Sequence, residues 1–247
     1  MKLIIYQVDA FASKLFTGNP AAVIPLKKWL PVKKMQLIAM ENNLAETAFF
    51  VPSKKKNADY HLRWFTPVSE INLCGHATLA SAFVCYTFLK HRKKTIVFET
   101  ASGLLTINRL KKGIEMDFPS WKPTPVEVSP DGLQEALGGA AIVSVSRYRD
   151  LLVELEDEKA VKNCQPDMQK LKALNTMVIV TARGSKLDFV SRFFAPGEGV
   201  EEDPVTGSAH SQLIPYWSEK LGKKKMKANK LCIHDWRSAT VKLYSSL

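Results

Sequence analysis

The sequence has few cysteines and no long hydrophobic run, and each of these features excludes a class of protein. Its 247 residues include four cysteines, none spaced as C-x-x-C, which is too few for a disulfide framework. The longest apolar run, from Ala77 to Leu89, is about 13 residues and is interrupted by Ser and Thr, whereas a membrane-spanning helix needs ~20. The acidic Asp9 comes too early for a secretory signal peptide. We expect a cytoplasmic protein without a membrane partner.

Acidic residues are also scarce, because 24 Asp and Glu stand against 35 Lys and Arg and give a net charge of +11. The excess comes partly from short basic runs, such as those at 54–56 and 223–225. Such runs are typical of a solvated surface, and no zinc-finger spacing, RNP-type aromatic motif or basic heptad accompanies them. We therefore expect no nucleic-acid partner, although the positive charge favours small anionic substrates.

The sequence contains an internal repeat. The segment RWFTP at 63–67 recurs as RFFAP at 192–196, which is 129 residues later. The same offset relates Thr47 to Thr176 upstream, and a glycine-containing block follows downstream in both halves after a three-residue insertion. Three blocks in one order at nearly one offset indicate two halves built on one plan.

Each half is predicted to form two strands, a proline-containing loop and a helix that begins at glycine. The strands and helix cover 47–51, 60–65 and 75–90 in the first half, and 177–180, 189–194 and 207–221 in the second. Further strands are predicted at 3–8, 21–25, 95–99, 104–110, 115–118, 142–145 and 151–154, and further helices at 32–42, 130–137 and 169–174. Prolines near 120–125 divide the chain into lobes of residues 1–121 and 122–247. The expected fold is α+β, with two pseudo-symmetric lobes, each a curled, barrel-like β-sheet around a buried central helix.

The two helices that begin at glycine indicate a binding site. The N–H groups of a helix's first turn lack intrahelical partners and carry partial positive charge, so they bind carboxylates. Two such helices, one from each lobe, are expected to point into a shared cleft and to hold one small anion. The alternative is that Gly75 and Gly207 are turn residues only.

The halves differ at the positions that would carry reactive groups. The repeat aligns Glu46 with Asn175, Cys74 with Thr206, and His76 with Ser208. A racemase with two bases needs one on each face of the substrate carbon, and the second half offers only an amide and hydroxyls at these places. The asymmetry favours a single general acid/base, for which Glu46 is the candidate. The alternative is that Glu46 is an ordinary surface acid at the start of a strand.

Several segments resemble the PhzF-like phenazine biosynthesis family, which has the diaminopimelate epimerase-like fold. They are VDAF at 8–11 with FTGNPAAV at 16–23, NNLAETAF at 42–49, RWFTP at 63–67 followed by LCGHAT at 73–78, and EDPVTGSAH at 202–210. The motifs are long and specific, so the chain is identified as a member of this family.

The resemblance implies an isomerase that needs neither a metal nor an organic cofactor and acts on a small carboxylate. The family's founding reaction isomerises a dihydro-hydroxyanthranilate by a proton shift on its ring, and Glu46 would move that proton. The catalytic residues implied by position are Glu46, His76, Asp203 and Ser208. The substrate-binding residues so implied are Asn19, Gly75, Thr206 and Gly207. Relatives of this type often form homodimers, so a homodimer is expected.

Two other functions stay open. Cys74 resembles the first thiol of proline-racemase-type enzymes, which suggests a cysteine-dependent racemase, epimerase or dehydratase, although Thr206 would be a poor second base. A non-catalytic small-molecule-binding protein of the same fold is the other alternative. The segment after about Lys220 is shorter than the family's closing strands, so the second lobe is expected to be truncated.

Overall fold

The computed structural model describes residues 2–12, 18–111, 113–203, 206–230 and 240–244. The chain divides into two compact units, Met1–Pro119 and Ser120–Leu247. The predicted α+β fold is confirmed, because each unit contains one curled, eight-stranded sheet with helices packed against it. Within the described ranges, no helix combines the length and the apolar character needed to cross a membrane.

The first unit is built from eight strands and two helices in its described part. The strands are β1 (Tyr6–Ala10), β2 (Asn19–Pro25), β3 (Glu46–Pro52), β4 (Tyr60–Phe65), β5 (Glu70–Ile71), β6 (Thr95–Thr100), β7 (Gly103–Arg109) and β8 (Ile114–Asp117). The helices are α1 (Val32–Asn42) and α2 (Gly75–Thr87). The sheet has the order β1-β2-β3-β4-β6-β7-β8, and β5 pairs with β4.

The second unit has eight strands and four helices in its described part. The strands are β9 (Thr124–Pro125), β10 (Ile142–Arg147), β11 (Leu151–Leu155), β12 (Val178–Arg183), β13 (Phe189–Ala195), β14 (Val200–Glu202), β15 (Lys225–Lys230) and β16 (Thr240–Tyr244). The helices are α3 (Leu133–Ala136), α4 (Glu158–Asn163), α5 (Met168–Ala173) and α6 (His210–Leu221). The sheet order is β16-β15-β13-β12-β11-β10-β9, and β14 pairs with β13.

The repeat in the sequence is a repeat of topology. Strand β3 is parallel to β2 and antiparallel to β4, and β12 is likewise parallel to β11 and antiparallel to β13. Strand β6 lies parallel to β4, and β15 lies parallel to β13. Parallel neighbours need a crossover connection. Helices provide it at the same places, namely α1 and α2 in the first unit, and α4–α5 and α6 in the second.

The second crossover helix of each unit is buried against its sheet. Ten of the 13 residues of α2 are buried, which agrees with a sequence that is apolar nearly all round. In the second unit, Leu213 and Trp217 of α6 pack against Ile179 and Phe193 of the sheet. Burying each such side chain fully contributes about 1.5–3 kcal/mol, so this packing fixes the position of each helix start relative to the strands.

Strand register corrects one correspondence of the repeat. The facing pairs across the equivalent strands are Thr47 with Phe65 in the first unit and Val178 with Phe194 in the second. Phe65 and Phe194 are equivalent in the repeated motif, so Met177, which precedes Val178, occupies the place of Glu46. The sequence offset assigned this place to Asn175, which instead adopts a left-handed conformation with φ of 50° just after α5. The second unit therefore has an apolar side chain where the first has a carboxylate.

The start of the second buried helix also differs from the prediction. The structure begins α6 at His210, not at Gly207. Gly207 instead opens a tight turn, in which the N–H of His210 donates to the carbonyl of Gly207 at 3.1 Å and that of Ser211 donates to Ser208 at 3.0 Å. These three-residue spacings are typical of a 3-10 turn that precedes an α-helix. Residues 231–239 of the shortened segment after Lys220 lie outside the described residues.

Candidate active site

Glu46 lies on the face of the first sheet that α2 covers. Phe49 of β3 packs in the core against α1, and because side chains alternate along a strand, Glu46 points to the opposite face. Strand β2 runs parallel to β3 with Ala21 beside Glu46, and Asn19 lies two residues earlier on the same face. The first turn of α2 adds His76 to this group.

Four buried side chains meet here: Asn19, Glu46, Cys74 and His76. The carboxylate Oε2 of Glu46 is 2.9 Å from Nε2 of His76. The other ring nitrogen of His76, Nδ1, is 3.2 Å from Nδ2 of Asn19 and 3.6 Å from Sγ of Cys74. The neutral ring accepts an Asn19 N–H at Nδ1 and carries its proton on Nε2, whereas the imidazolium carries protons on both nitrogens and donates from Nδ1 to the Cys74 sulfur. In both charge states Nε2–H faces the carboxylate.

The contact between Glu46 and His76 is close but poorly aligned. Neither Oε2 of Glu46 nor Nε2 of His76 has a well-directed hydrogen bond within the described part of the chain. Buried polar groups without such a bond destabilise a protein by about 1–3 kcal/mol each, so their retention is typical of a site that a ligand completes. The group of four is therefore a candidate active site.

The surroundings shift the proton affinities of His76 and Cys74 in ways that separate their roles. Burial raises the pKa of the Cys74 thiol to about 11, and the nearby Glu46 carboxylate adds to the rise. Burial by itself would lower the pKa of His76, but Cys74 and Glu46 outweigh it, and the pKa lies well above the usual value. Cys74 is therefore a neutral thiol near pH 7, and the contact with Glu46 favours the protonated form of His76.

The helix start adds backbone donors to the group. Helix α2 begins at Gly75, as predicted, and Cys74 precedes it in an extended conformation without a side-chain capping hydrogen bond. The hydroxyl of Thr78 donates to the carbonyl of Cys74 at 2.5 Å and that of Ser81 to Ala77 at 2.7 Å, which fixes the first turn. The first N–H groups of the helix lie beside His76 and suit a carboxylate.

Glu46, Cys74 and His76 are also the residues best placed to hold a metal ion. One ligand atom from each lies within 4.8 Å of the others. However, the thiol contacts Nδ1 of His76 whereas the carboxylate contacts Nε2. A chelated ion needs its ligands to converge from one side of the ring, so this arrangement fits proton transfer better than metal binding.

The second unit brings the other predicted site residues together. The hydroxyl of Thr206 donates to Oδ2 of Asp203 at 2.7 Å, and Nδ1 of His210 donates to the carbonyl of Thr206 at 3.0 Å. Asp203, Thr206 and Ser208 are all buried, and Gly207 between them is partly exposed. Asp203 directly follows β14 and its N–H donates to the carbonyl of Phe193 at 3.1 Å.

A buried arginine holds β14, and with it Asp203, in place. Nε and Nη2 of Arg192 donate to the two carboxylate oxygens of Glu202 at 2.9 and 3.0 Å. The first unit repeats this pair, because Arg63 makes two bonds of 2.6 Å to Glu70 on β5. In each unit the pair fixes the short strand that leads to the candidate site residues.

One group near Ser208 was not predicted from the sequence. Arg149 donates to the hydroxyl of Ser208 at 3.2 Å and forms a two-bond ion pair with Asp150. Asp150 also accepts from Gln212 at 3.0 Å. Arg149 and Asp150 lie in the turn between β10 and β11, 59 and 58 residues before Ser208, and no local pattern marks them. A charged Arg-Asp pair in the short turn between two predicted strands is the one signal that was available.

Comparison with known proteins shows which class of protein has a similar sequence and fold. An uncharacterized isomerase of Pseudomonas aeruginosa is 51% identical over 92% of this chain and 86% of its own length. An uncharacterized isomerase of Halalkalibacterium halodurans is 45% identical over 89% of this chain and 83% of its own. The crystal structure of a PhzF-family phenazine biosynthesis protein of Enterococcus faecalis superposes with a TM-score of 0.87 at 44% identity, and covers 100% of this chain and 92% of its own.

The class of the protein is that of an isomerase with the epimerase-like fold. The family model described as phenazine biosynthesis-like protein matches residues 8–239. The chain belongs to this PhzC-PhzF family, and the identification made from its motifs is confirmed.

Proposed function

We propose that the protein isomerises a small, cyclic carboxylate by moving one proton, with Glu46 as the single general acid/base and no cofactor. The observation that carries the proposal is the contact of 2.9 Å between Glu46 and His76 in a buried site. The carboxylate oxygen in that contact has no well-directed hydrogen bond within the described residues, so it keeps a lone pair with which it can accept a proton from a substrate carbon.

The reaction has two proton transfers. The Glu46 carboxylate removes a proton from a substrate carbon next to an unsaturated or carbonyl-bearing carbon, and the electron pair of that C–H bond delocalises into the substrate. The resulting Glu46 carboxylic acid exchanges its proton with solvent and then donates a proton to another carbon, so the product is an isomer, the enzyme is regenerated, and deuterium enters the product in D₂O. The positive charge of His76 stabilises the carboxylate before the transfer and the substrate anion during it.

This scheme needs only one base, and the comparison of the two repeated units supports a single base. Met177 occupies the place of Glu46 in the second unit, and a thioether does not accept a proton from carbon. The Cys74 thiol, with its pKa raised to about 11, supports neither a thiolate base nor the cysteine-dependent alternative.

We further propose that the second group serves the same substrate. Asp203 and Ser208 would hold its polar substituents, with Thr206 fixing the Asp203 carboxylate through its hydrogen bond of 2.7 Å. The N–H groups near Gly75 and Gly207 would hold the carboxylate. We also propose that the protein forms a homodimer.

The test is deuterium uptake in D₂O, read by mass spectrometry, with a panel of small cyclic and amino carboxylates that includes dihydro-hydroxyanthranilate. We expect uptake by the wild type and none by Glu46→Gln. Glu154→Gln is the matched control, because Glu154 is also a strand carboxylate with 8% exposure against 9% for Glu46. It should retain uptake. Uptake that persists in Glu46→Gln would refute the proposal and point to Cys74.

A further inference from the structure

The second unit contains a charged cluster, here the Arg149 cluster, that comprises Arg149, Asp150, Gln212, Trp121 and Ser208. Apart from Ser208, none of these residues has a role that the sequence motifs imply. All five residues belong to the second unit. Its geometry indicates an anion-binding residue that the motifs do not include.

Arg149 is held rigidly along one edge of its guanidinium group. Nε and Nη2 each donate to one oxygen of Asp150 at 2.7 Å. Asp150 is fully buried, and Gln212 from α6 donates to it at 3.0 Å. The amide oxygen of Gln212 in turn accepts from the N–H of Tyr148 at 3.0 Å. Two-bond pairs of this kind fix the plane of the arginine as well as its position.

An aromatic stack holds the same guanidinium group from its face. The carbon Cζ of Arg149 lies 4.9 Å from the ring centre of Trp121, and Trp121 stacks on Tyr148 with an interplanar angle of 6°. Helix α6 anchors this stack, since the N–H of Trp121 donates to the carbonyl of Ser211 at 2.7 Å. That carbonyl is available because Pro215, four residues later in the helix, has no N–H to donate to it.

The remaining edge of the guanidinium group, Nη1 with Nη2, is the one that a ligand can use. Nη2 donates to the hydroxyl oxygen of Ser208 at 3.2 Å, so the Ser208 proton must point elsewhere. That hydroxyl donates to no described residue, and neither does Nη1 of Arg149. The side chain of Arg149 is 24% exposed. Two unused donors therefore lie side by side, one on a fixed cation and one on a buried hydroxyl.

We propose that Arg149 is a substrate-binding residue, and that its Nη1 and the Ser208 hydroxyl together hold one anionic group of the substrate, a carboxylate. Arg149 also orients Ser208 as a donor through the bond from Nη2. The proposal rests on the proposed function for the identity of the ligand as a small carboxylate. It adds a residue that selects for the negative charge.

The experiment measures binding, without turnover, by isothermal titration of the full-length protein with benzoate and with benzamide, its uncharged isostere. A hydrogen bond to a charged group is worth about 1.5–3 kcal/mol, or roughly 10- to 150-fold in affinity. We expect Arg149→Met to weaken benzoate binding by at least about tenfold and to leave benzamide binding unchanged. Arg147→Met, an exposed arginine at the end of β10, is the matched control and should bind both probes like the wild type.

A second variant keeps the proposal testable if Arg149→Met does not fold. Ser208→Ala leaves the Arg149 pair intact and should weaken benzoate binding while sparing benzamide. Equal benzoate affinity of the wild type and the Arg149 variant, including no binding by either, overturns the proposal. So does an equal loss for both probes, which would mark a structural role. Benzoate binding needs no proton transfer and is measured independently of deuterium uptake, so failure of the proton-transfer proposal is distinguishable from failure of this one.

Discussion

Burial should make the second-unit Arg-Glu pair far more important for stability than its counterpart in the first unit. The two pairs occupy equivalent places in the repeat, but their side chains are 1% and 12% exposed for Arg192 and Glu202, against 21% and 35% for Arg63 and Glu70. The perturbation is Arg192→Met, and Arg63→Met is its matched control.

The expected magnitudes follow from these exposures. Removing Arg192 leaves the Glu202 carboxylate buried without its partner, and frees the carbonyls of Val161 and Cys164 that Nη1 contacts. Breaking a buried ion pair in this way costs about 3–5 kcal/mol. Removing Arg63 breaks a partly exposed pair, worth about 0–1 kcal/mol, and a ring contact to Trp29 at 5.2 Å, worth about 0.5–1 kcal/mol.

Hydrogen exchange followed by mass spectrometry measures the loss of stability separately in each unit. The free-energy change predicts that exchange in β13 of Arg192→Met accelerates roughly 10²- to 10⁴-fold, while exchange in β4 of Arg63→Met changes by about tenfold. Adding Glu202→Gln to Arg192→Met should restore part of the protection, because the unpaired charge is gone. Equal acceleration in the two single variants would refute the reasoning from burial.

Two further predictions concern the candidate active site. Cys74→Ser should keep deuterium uptake within about tenfold of the wild type, because the pKa of about 11 keeps the thiol protonated; a larger loss in a folded variant would revive the thiol mechanism. The raised pKa of His76 should add stability that is complete below its ordinary pKa of 6.5 and is lost as the pH rises through the higher folded value. The test is the free energy of unfolding in urea, measured from about pH 6 to pH 9. It should fall as the pH rises in the wild type and change less with pH in His76→Gln. Parallel curves for the two proteins would contradict the pairing of His76 with Glu46.

The longer elements of the fold could be predicted from the sequence because their patterns are strong. The strand at Tyr60–Phe65 and the helix at Val32–Asn42 have the predicted bounds. The short strands β5 and β14 were missed, since two or three residues carry no periodicity. Strand β15 was missed because its lysines suggested a solvated turn, whereas Met226 and Ala228 alternate with them and are buried.

The candidate site could be predicted only where its residues lie in motifs. Asn19, Cys74, Glu46 and His76 are close in space as well as prominent in sequence. Arg149 is not, because the turn that carries it reaches Ser208 only after β11, β12 and β13 have paired. The misassigned counterpart of Glu46 has a different cause, since one sequence offset does not record that the second strand pair is two residues shorter, with 16 positions from Val178 to Phe194 against 18 from Thr47 to Phe65.

The division of the strands between the units has a consequence for how the protein is made. Every described strand of the first sheet comes from residues up to Asp117. The complete first unit can therefore emerge from the ribosome and fold while the second unit is still being translated. The second sheet is different, because β16 (Thr240–Tyr244) forms its edge and pairs with β15. Its assembly must wait for β16 to emerge, so the second unit, although alike in topology, completes its sheet later than the first.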